Sequence, residues 1–302
     1  MTVAVRRTVG AAAATALLCA GAVACGGGSA ESGTKSASAD SGAAQALTAA
    51  YKKTAQARSA KVAMTMKSPS GLGGGSVRLS GTMGWNPTVM DMTMKGSGLD
   101  TGGADVPDSV RMIMQNDVMY VDGGAAAAKE MGGKRWMKLD LASLGKQADG
   151  ALGQQMTGGL GSMDQDPAQQ IAVLLDSPNL KHLGSATVDG ERTEHYKGKL
   201  TVEEMVKSND SLKVLGADER SRLLKNIKKA GIKDYDTELW VNKDDLPVRL
   251  DVTMGSAQGP VEMSERFSDY GAAVKVDVPP AGQTFDLMDS FGKLGKGTLQ
   301  DS

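Results

Sequence analysis

The stretch that most constrains this chain lies near its C-terminus, from Lys233 to Val278. Tyr235, Thr237, Leu239 and Val241 alternate with Asp236, Glu238 and Trp240. Asn242 to Pro247 is a polar turn closed by a proline, after which Val248, Leu250, Val252 and Met254 alternate with Arg249, Asp251 and Thr253. Val261, Met263 and Phe267 continue an apolar face against Glu262, Ser264, Arg266 and Ser268, with Glu265 as the exception. A period of two puts alternate side chains on opposite faces of a strand, one buried and one wet. Pro247 has no N–H to give to a ladder, which suits the first residue of a strand. Asp269-Tyr270-Gly271 reads as a corner, and Val274, Val276 and Val278 as a last strand before Pro279-Pro280. Three or four antiparallel strands of this kind cannot stand alone. They need more strands, or a helix, against the apolar face.

The chain upstream supplies both. Ala43 to Arg58 is rich in helix formers and places Leu47, Tyr51 and Ala55 on one face. Strand patterns follow at Val62 to Met66, Val77 to Trp85, Met90 to Met94, Val110 to Met114, Val118 to Val121 and Arg135 to Leu139, with turns at Asn86-Pro87 and Asn116-Asp117. Gly123 to Gly133 reads as an insertion of small residues, and Gly96 to Asp108 and Gly145 to Gln165 as Gly-rich segments. Asp166 and Pro167 form a helix start, with Ile171, Leu174 and Leu175 as its apolar face. Leu183 to Leu200 is a hairpin around Asp189-Gly190. Thr201 and Glu204 make a capping box that opens helical segments marked by Met205, Val206, Leu223, Leu224 and Ile227. Beyond Pro280 the chain trails off through Phe285, Leu287 and Phe291.

The N-terminus is a processing signal. Arg6 and Arg7 precede the short apolar run Val9 to Leu18, and small residues lead to Cys25. The pattern resembles a bacterial lipoprotein signal, Leu-(Ala/Ser)-(Gly/Ala)-Cys, with Ala22 in the place of the leucine. Ordinary cleavage near Ala24, or a membrane helix, is the alternative; the run is short for a span. The choice between general and twin-arginine export stays open. By that resemblance Cys25 carries a diacylglyceryl group, with acyl chains such as palmitate, that anchors the protein; two acyl chains hold a membrane stably where one does not. Cys19 follows a bulky leucine and fits less well. The expected division is a signal peptide over 1–24, a flexible tether over 25–42, one domain over 43–290 and a tail over 291–302. Beyond Cys25 no cysteine remains, so the domain relies on its core and not on disulfides.

Nothing in the chain spells out catalysis. Its two histidines, His182 and His195, fall at opposite ends of the hairpin and lack metal-ligand spacing. Gly132-Gly133-Lys134-Arg135 is not a phosphate loop, no Gly-x-Ser-x-Gly occurs, and the loop aspartates lack calcium-loop spacing. The net charge is −1, with no basic surplus to suggest nucleic acid. We therefore expect no enzyme, no metal and no cofactor beyond the lipid on Cys25. The 18 methionines against 4% aromatics are unusual. Methionine fills irregular apolar space that must adapt. A stripe of them at strand spacing is either a packed core or an adaptable lining.

Glu238-Leu239-Trp240-Val241, Leu246-Pro247-Val248-Arg249, Phe267-Ser268-Asp269-Tyr270-Gly271, and Val188-Asp189-Gly190 with Thr193, His195, Tyr196 and Gly198, together with Cys25, resemble actinobacterial lipoproteins of the LppX/LprG kind, over about Ala43 to Pro280. That resemblance implies a LolA-like α+β fold. A curved antiparallel half-barrel of about ten or eleven strands would carry helices across its concave face, around an apolar cavity. It also implies lipid or glycolipid binding or transfer at the extracytoplasmic face of the cell membrane. The expected lining is Val62, Met64, Met66, Leu79, Met83, Met90, Met92, Met94, Met112, Met114, Leu239, Val241, Leu250, Val252, Met254 and Met263. Helices at Met205, Val206, Leu223, Leu224 and Ile227 would cover it. The expected partners are the membrane, the lipid and an envelope transport or signalling protein, with the chain a monomer. A sensor or interaction module on the same fold, without cargo, is the alternative.

Overall fold

The structure, a computed structural model, describes residues 41–72, 74–97, 108–141, 143, 166–204 and 231–290. The signal peptide, Cys25, nearly all of the tether, the Gly-rich segment after Gly145, the covering positions Met205, Val206, Leu223, Leu224 and Ile227, and the tail from Phe291 lie outside these residues.

Helix α1 (Ser41–Ala57) precedes strands β1 (Ser59–Ser68), β2 (Gly75–Gly84), β3 (Val89–Gly96), β4 (Ser109–Gln115) and β5 (Val118–Asp122). Helix α2 (Gly124–Glu130) occupies the expected small-residue insertion, and β6 (Trp136–Asp140) follows. Helix α3 (Pro167–Leu175) leads into β7 (Lys181–Val188), β8 (Glu191–Thr201), β9 (Asp234–Asn242), β10 (Pro247–Gly255) and β11 (Val261–Ser268), and β12 (Thr284–Asp286) comes last. All twelve strands form one sheet in the order β12-β6-β5-β4-β3-β2-β1-β11-β10-β9-β8-β7. It is an open, curved half-barrel with α1 and α3 on one face, an α+β fold with one strand more than the upper expectation of eleven.

The topology has a simple logic. Strands β1 to β6 are laid outward from the middle as a meander. After β6 the chain passes to the opposite edge, and β7 to β11 are laid back inward, until β11 pairs with β1 from Lys61↔Ser268 to Lys67↔Glu262. The two halves meet at that seam. Every strand pair is antiparallel except β12 with β6, which is parallel.

This seam explains one correction. Val274, Val276 and Val278 do not form a strand, and Val278 is 42% exposed. Strand β11 already has β10 on one side and β1 on the other, so the residues that follow it find no free edge to join. The chain instead reaches the far edge, where Phe285 pairs with Met137 of β6 and Leu287 and Met288 pack against the core. The meander therefore has three strands, not four.

Local chemistry sets the turns. Asp189 and Gly190 take φ of 50° and 86°, and Asn116 and Asp117 take 53° and 59°, the left-handed pair that tight hairpins need. The Asn242 side chain accepts hydrogen bonds from the N–H groups of Asp244 (3.1 Å) and Leu246 (3.0 Å), closing the β9–β10 turn. Asp166 Oδ1 accepts from Ala168 N–H at 2.7 Å and caps α3, with Pro167 in its first turn. Thr201 and Glu204 exchange the reciprocal bonds of a capping box.

The face of α1 is rotated from expectation. Its buried residues are Ala43, Leu47, Ala50 and Thr54, whereas Tyr51 is 39% exposed. The alanines let α1 approach α3 closely, and the tyrosine keeps its hydroxyl at the surface. Helix α3 lies on β8 where Gly198 leaves room: a Cβ there would stand 2.7 Å from both Leu174 Cδ1 and Ser177 Oγ.

Candidate functional site

The helices and the sheet enclose one apolar core. Val62, Met90, Met92, Met114, Leu239, Val241 and Leu250 are buried in it, with Leu79, Met83 and Val252 half-buried against it. From α1 come Ala43, Leu47 and Ala50, and from α3 Ile171 and Leu174. Met112 is buried one rung further along, beside Met92. Met119, Leu139, Tyr196 and Phe267 on strands also belong to the core, as does Leu180 before β7, but were absent from the expected lining. Strand spacing alone would have found those on strands.

The register shows why methionines dominate. Met83, Met90, Met114 and Met119 stand side by side across β2, β3, β4 and β5. A second rung runs Val62, Gly81, Met92, Met112, Val121. A curved sheet opens and closes the spacing between such rungs, and an unbranched thioether adapts to either.

Among the described residues, α1 and α3 cover this face unevenly. Met64, Met66, Met94, Met254 and Met263 are half-buried and lie outside the core cluster. By register they extend the same surface: Met66 pairs with Met263, Met263 with Val252, and Met64 with Leu79 and, through it, Met94. Helices α1 and α3 thus sit over the end of the face that carries Val62, Met90 and Leu239. The Met66 and Met263 end is a half-buried apolar strip.

Among the described residues, one carboxyl is buried on this face. Glu265 is the residue that broke the alternation of β11, and it is 2% exposed. It stands between Met64 on β1 and Leu250 on β10, and accepts a long hydrogen bond of 3.4 Å from Gln170 Nε2 of α3. Burial pushes its carboxyl up to about 7, against the pull of that hydrogen bond. Tyr270 lies close by. Its hydroxyl donates to Pro247 O at 2.9 Å, and burial raises its pKa, aided by the charges of Glu265 and Asp166.

The outer face has a different character. Two shallow clefts of about 570 and 540 Å³ lie there. The first is bordered by the outward side chains Lys61, Ala63, Thr82 and Arg266 and by Asp189 of the β7–β8 turn, which holds Arg266 at 3.0 Å. Trp240 is also outward yet buried, under the Arg249 guanidinium (4.7 Å from its ring centre) and the stacked ring of His195 (4.3 Å). His195, beside Trp240, bonds Glu238 at 2.8 Å, whereas His182, opposite Tyr196 at the β7 edge and so in register with the inner face, bonds Glu194 at 2.7 Å. Among the described residues no group of three potential metal ligands occurs. No helix among them is long and apolar enough to cross a membrane.

Comparison with known proteins follows the same line. No family model matches the chain. An uncharacterized 31.2 kDa protein of Streptomyces griseus is 30% identical over 261 residues, covering 83% of this chain and 81% of its own. A candidate lipoprotein of Streptomyces coelicolor is 25% identical over 257 residues, covering 83% and 77%. Among solved structures, LppX of Mycobacterium tuberculosis matches 79% of this chain and 100% of its own at TM-score 0.46 and 15% identity. LprF of Mycobacterium bovis matches 81% and 100% at TM-score 0.45 and 16% identity. By its likeness to the Streptomyces griseus protein over most of both chains, this chain belongs to that protein's family.

Proposed function

We propose that this protein is an envelope lipoprotein, anchored through Cys25, that binds the acyl chains of a lipid or glycolipid on the methionine-rich face of its half-barrel. The observation that carries the reading is the uneven cover that the described helices give that face. Past helices α1 and α3 it continues as the half-buried strip of Met64, Met66, Leu79, Met94, Val252 and Met263. Apolar surface of this kind gains by burial against an acyl chain, at about 0.8 kcal/mol per methylene. Flexible thioethers conform to chains of differing length and kink. The name of the Streptomyces coelicolor relative, a candidate lipoprotein, agrees with a lipid-modified Cys25.

The test is native mass spectrometry with lipid extraction on the chain from Gly26 onward, expressed in a bacterial host, beside a Met66→Lys, Met263→Lys variant. Near-stoichiometric lipid on the parent chain and its loss from the folded variant is the expected result. A clean apo mass with no uptake from added vesicles overturns the reading and favours a sensor or interaction module, whose partner would be sought by cell-surface capture.

A further inference from the structure

We infer that Glu265 and Gln170 form a proton-operated latch that holds the N-terminal half of helix α3 against the sheet, closed when Glu265 is neutral and released when it ionises. The two ends of α3 are fastened differently. Its C-terminal end is tied to β8: Ser177 Oγ donates to Lys199 O at 2.9 Å, and Asn179 Oδ1 accepts from Lys199 N–H at 2.8 Å. These bonds carry no titratable group. The N-terminal half reaches the sheet through apolar contacts and through the Gln170–Glu265 pair.

That pair is incomplete as a carboxylate. Gln170 Nε2 donates to Glu265 over a long 3.4 Å, and Gln170 Oε1 is buried with no hydrogen-bond partner. A carboxylate has no proton to offer that oxygen. A neutral carboxyl does, and it can then donate to Oε1 while accepting from Nε2, as a two-bond acid–amide pair. Protonation thus satisfies the orphan oxygen and removes a buried charge in one step.

The surroundings reinforce this direction. From β1 and β10 Glu265 faces Met64 and Leu250, which are apolar. From α3 it faces Gln170, with Asp166 at that helix's start; from the corner after β11 it faces Tyr270, on which both carboxyls act. Helix α1 turns Ala43, Leu47, Ala50 and Thr54 inward. No described basic side chain offsets the charge, and burial accordingly pushes the group up to about 7. Ionisation near neutral pH must therefore draw water to Glu265, and water enters most cheaply where α3 can lift while its β8 end stays fastened. Lifting uncovers Leu250 and the rungs beside it. The inference concerns the face proposed above to bind lipid, but its test reads the helix and stands or falls without any lipid.

The experiment is hydrogen exchange of the full chain at pH 5.5 and pH 8, corrected for the intrinsic rate, on wild type and Glu265→Gln. In wild type the protection of the α3 amides should fall by about tenfold or more at pH 8, following the ionisation of one group, while α1 keeps its protection. In Glu265→Gln, α3 protection should be the same at both pH values. Unchanged wild-type protection of α3, equal loss in α1 and α3, or the same pH response in the variant would each overturn the latch. Should Glu265→Gln not fold, carbon NMR titration of the Glu265 carboxyl in wild type decides: titration near the ordinary glutamate value overturns it, and titration near neutrality together with the exchange change supports it.

Discussion

Met64 and Glu265 stand directly opposite each other across β1 and β11, the pair that joins the two halves of the sheet. A flexible apolar side chain and a buried carboxyl thus share one rung at the seam. The rung continues through Leu250, Leu239 and Tyr196 on one side and Leu79 and Met94 on the other. Burial in such a place favours the neutral acid, so the stability of the whole domain acquires a pH dependence.

Its sign follows from linkage. Glu265 rises from the ordinary 4.5 to about 7 on folding, so the folded chain holds more protons between those values. The full contribution is present below pH 4.5 and is lost as pH rises through 7. We expect urea unfolding to show a loss of about 3 kcal/mol between pH 4.5 and pH 8 from this group. Glu265→Gln should abolish that slope and unfold at higher urea than wild type at pH 8. Parallel pH profiles for the two proteins would refute it.

Leu250 is 1% exposed, whereas Met66 is half-buried on the strip beyond α1 and α3. Leu250→Ala should cost about 2–5 kcal/mol, since it leaves a cavity in the packed core. Met66→Ala should cost under about 1.5 kcal/mol, because its neighbours already meet solvent. Leu250→Asp and Met92→Asp bury a charge and should prevent folding or lipid retention altogether. Denaturant midpoints of the alanine pair check the order; equal costs would mean that the strip is packed like the core.

Gly81 is the small step in the rung between Val62 and Met92. A Cβ there would collide with Asp91 O and stand 2.8 Å from Met92 Cα, both backbone atoms of β3. Gly81→Ala must push β2 and β3 apart and should destabilise by about 1–3 kcal/mol, more than the usual gain from replacing a glycine. A variant as stable as wild type in a thermal melt would show that the strands can separate there without penalty.

Cys25→Ser removes the thiol that a lipid anchor requires. The variant should leave the membrane fraction for the medium in cell fractionation. Unchanged fractionation would sink the anchor assignment and leave the fold untouched.

Much of the fold was legible in the residue order, for local reasons. The period of two marked the strands because one face is buried along each. Asp166 before Pro167, and Asp189 before Gly190, announced a helix start and a hairpin through their own hydrogen bonding and backbone preference. Even the candidate site left a trace, since Glu265 was visible as the one break in an apolar series. Its partner Gln170 was not, because a glutamine on a helix reads as a solvated residue until the opposite surface is known.

The alternation of apolar residues, the caps and the turn dipeptides determined by themselves that this chain makes many antiparallel strands with a methionine-rich face and helices to cover it. Tertiary structure alone decided that β11 closes on β1, a pairing of segments about two hundred positions apart for which no local preference exists. That closure denied Val274 to Val278 an edge and set Glu265 beneath α3, while the packing of α1 on α3 left Tyr51 outward. The physical reason is the same in each case: local sequence fixes which face of an element is apolar, but only burial against the rest of the chain fixes what that face meets.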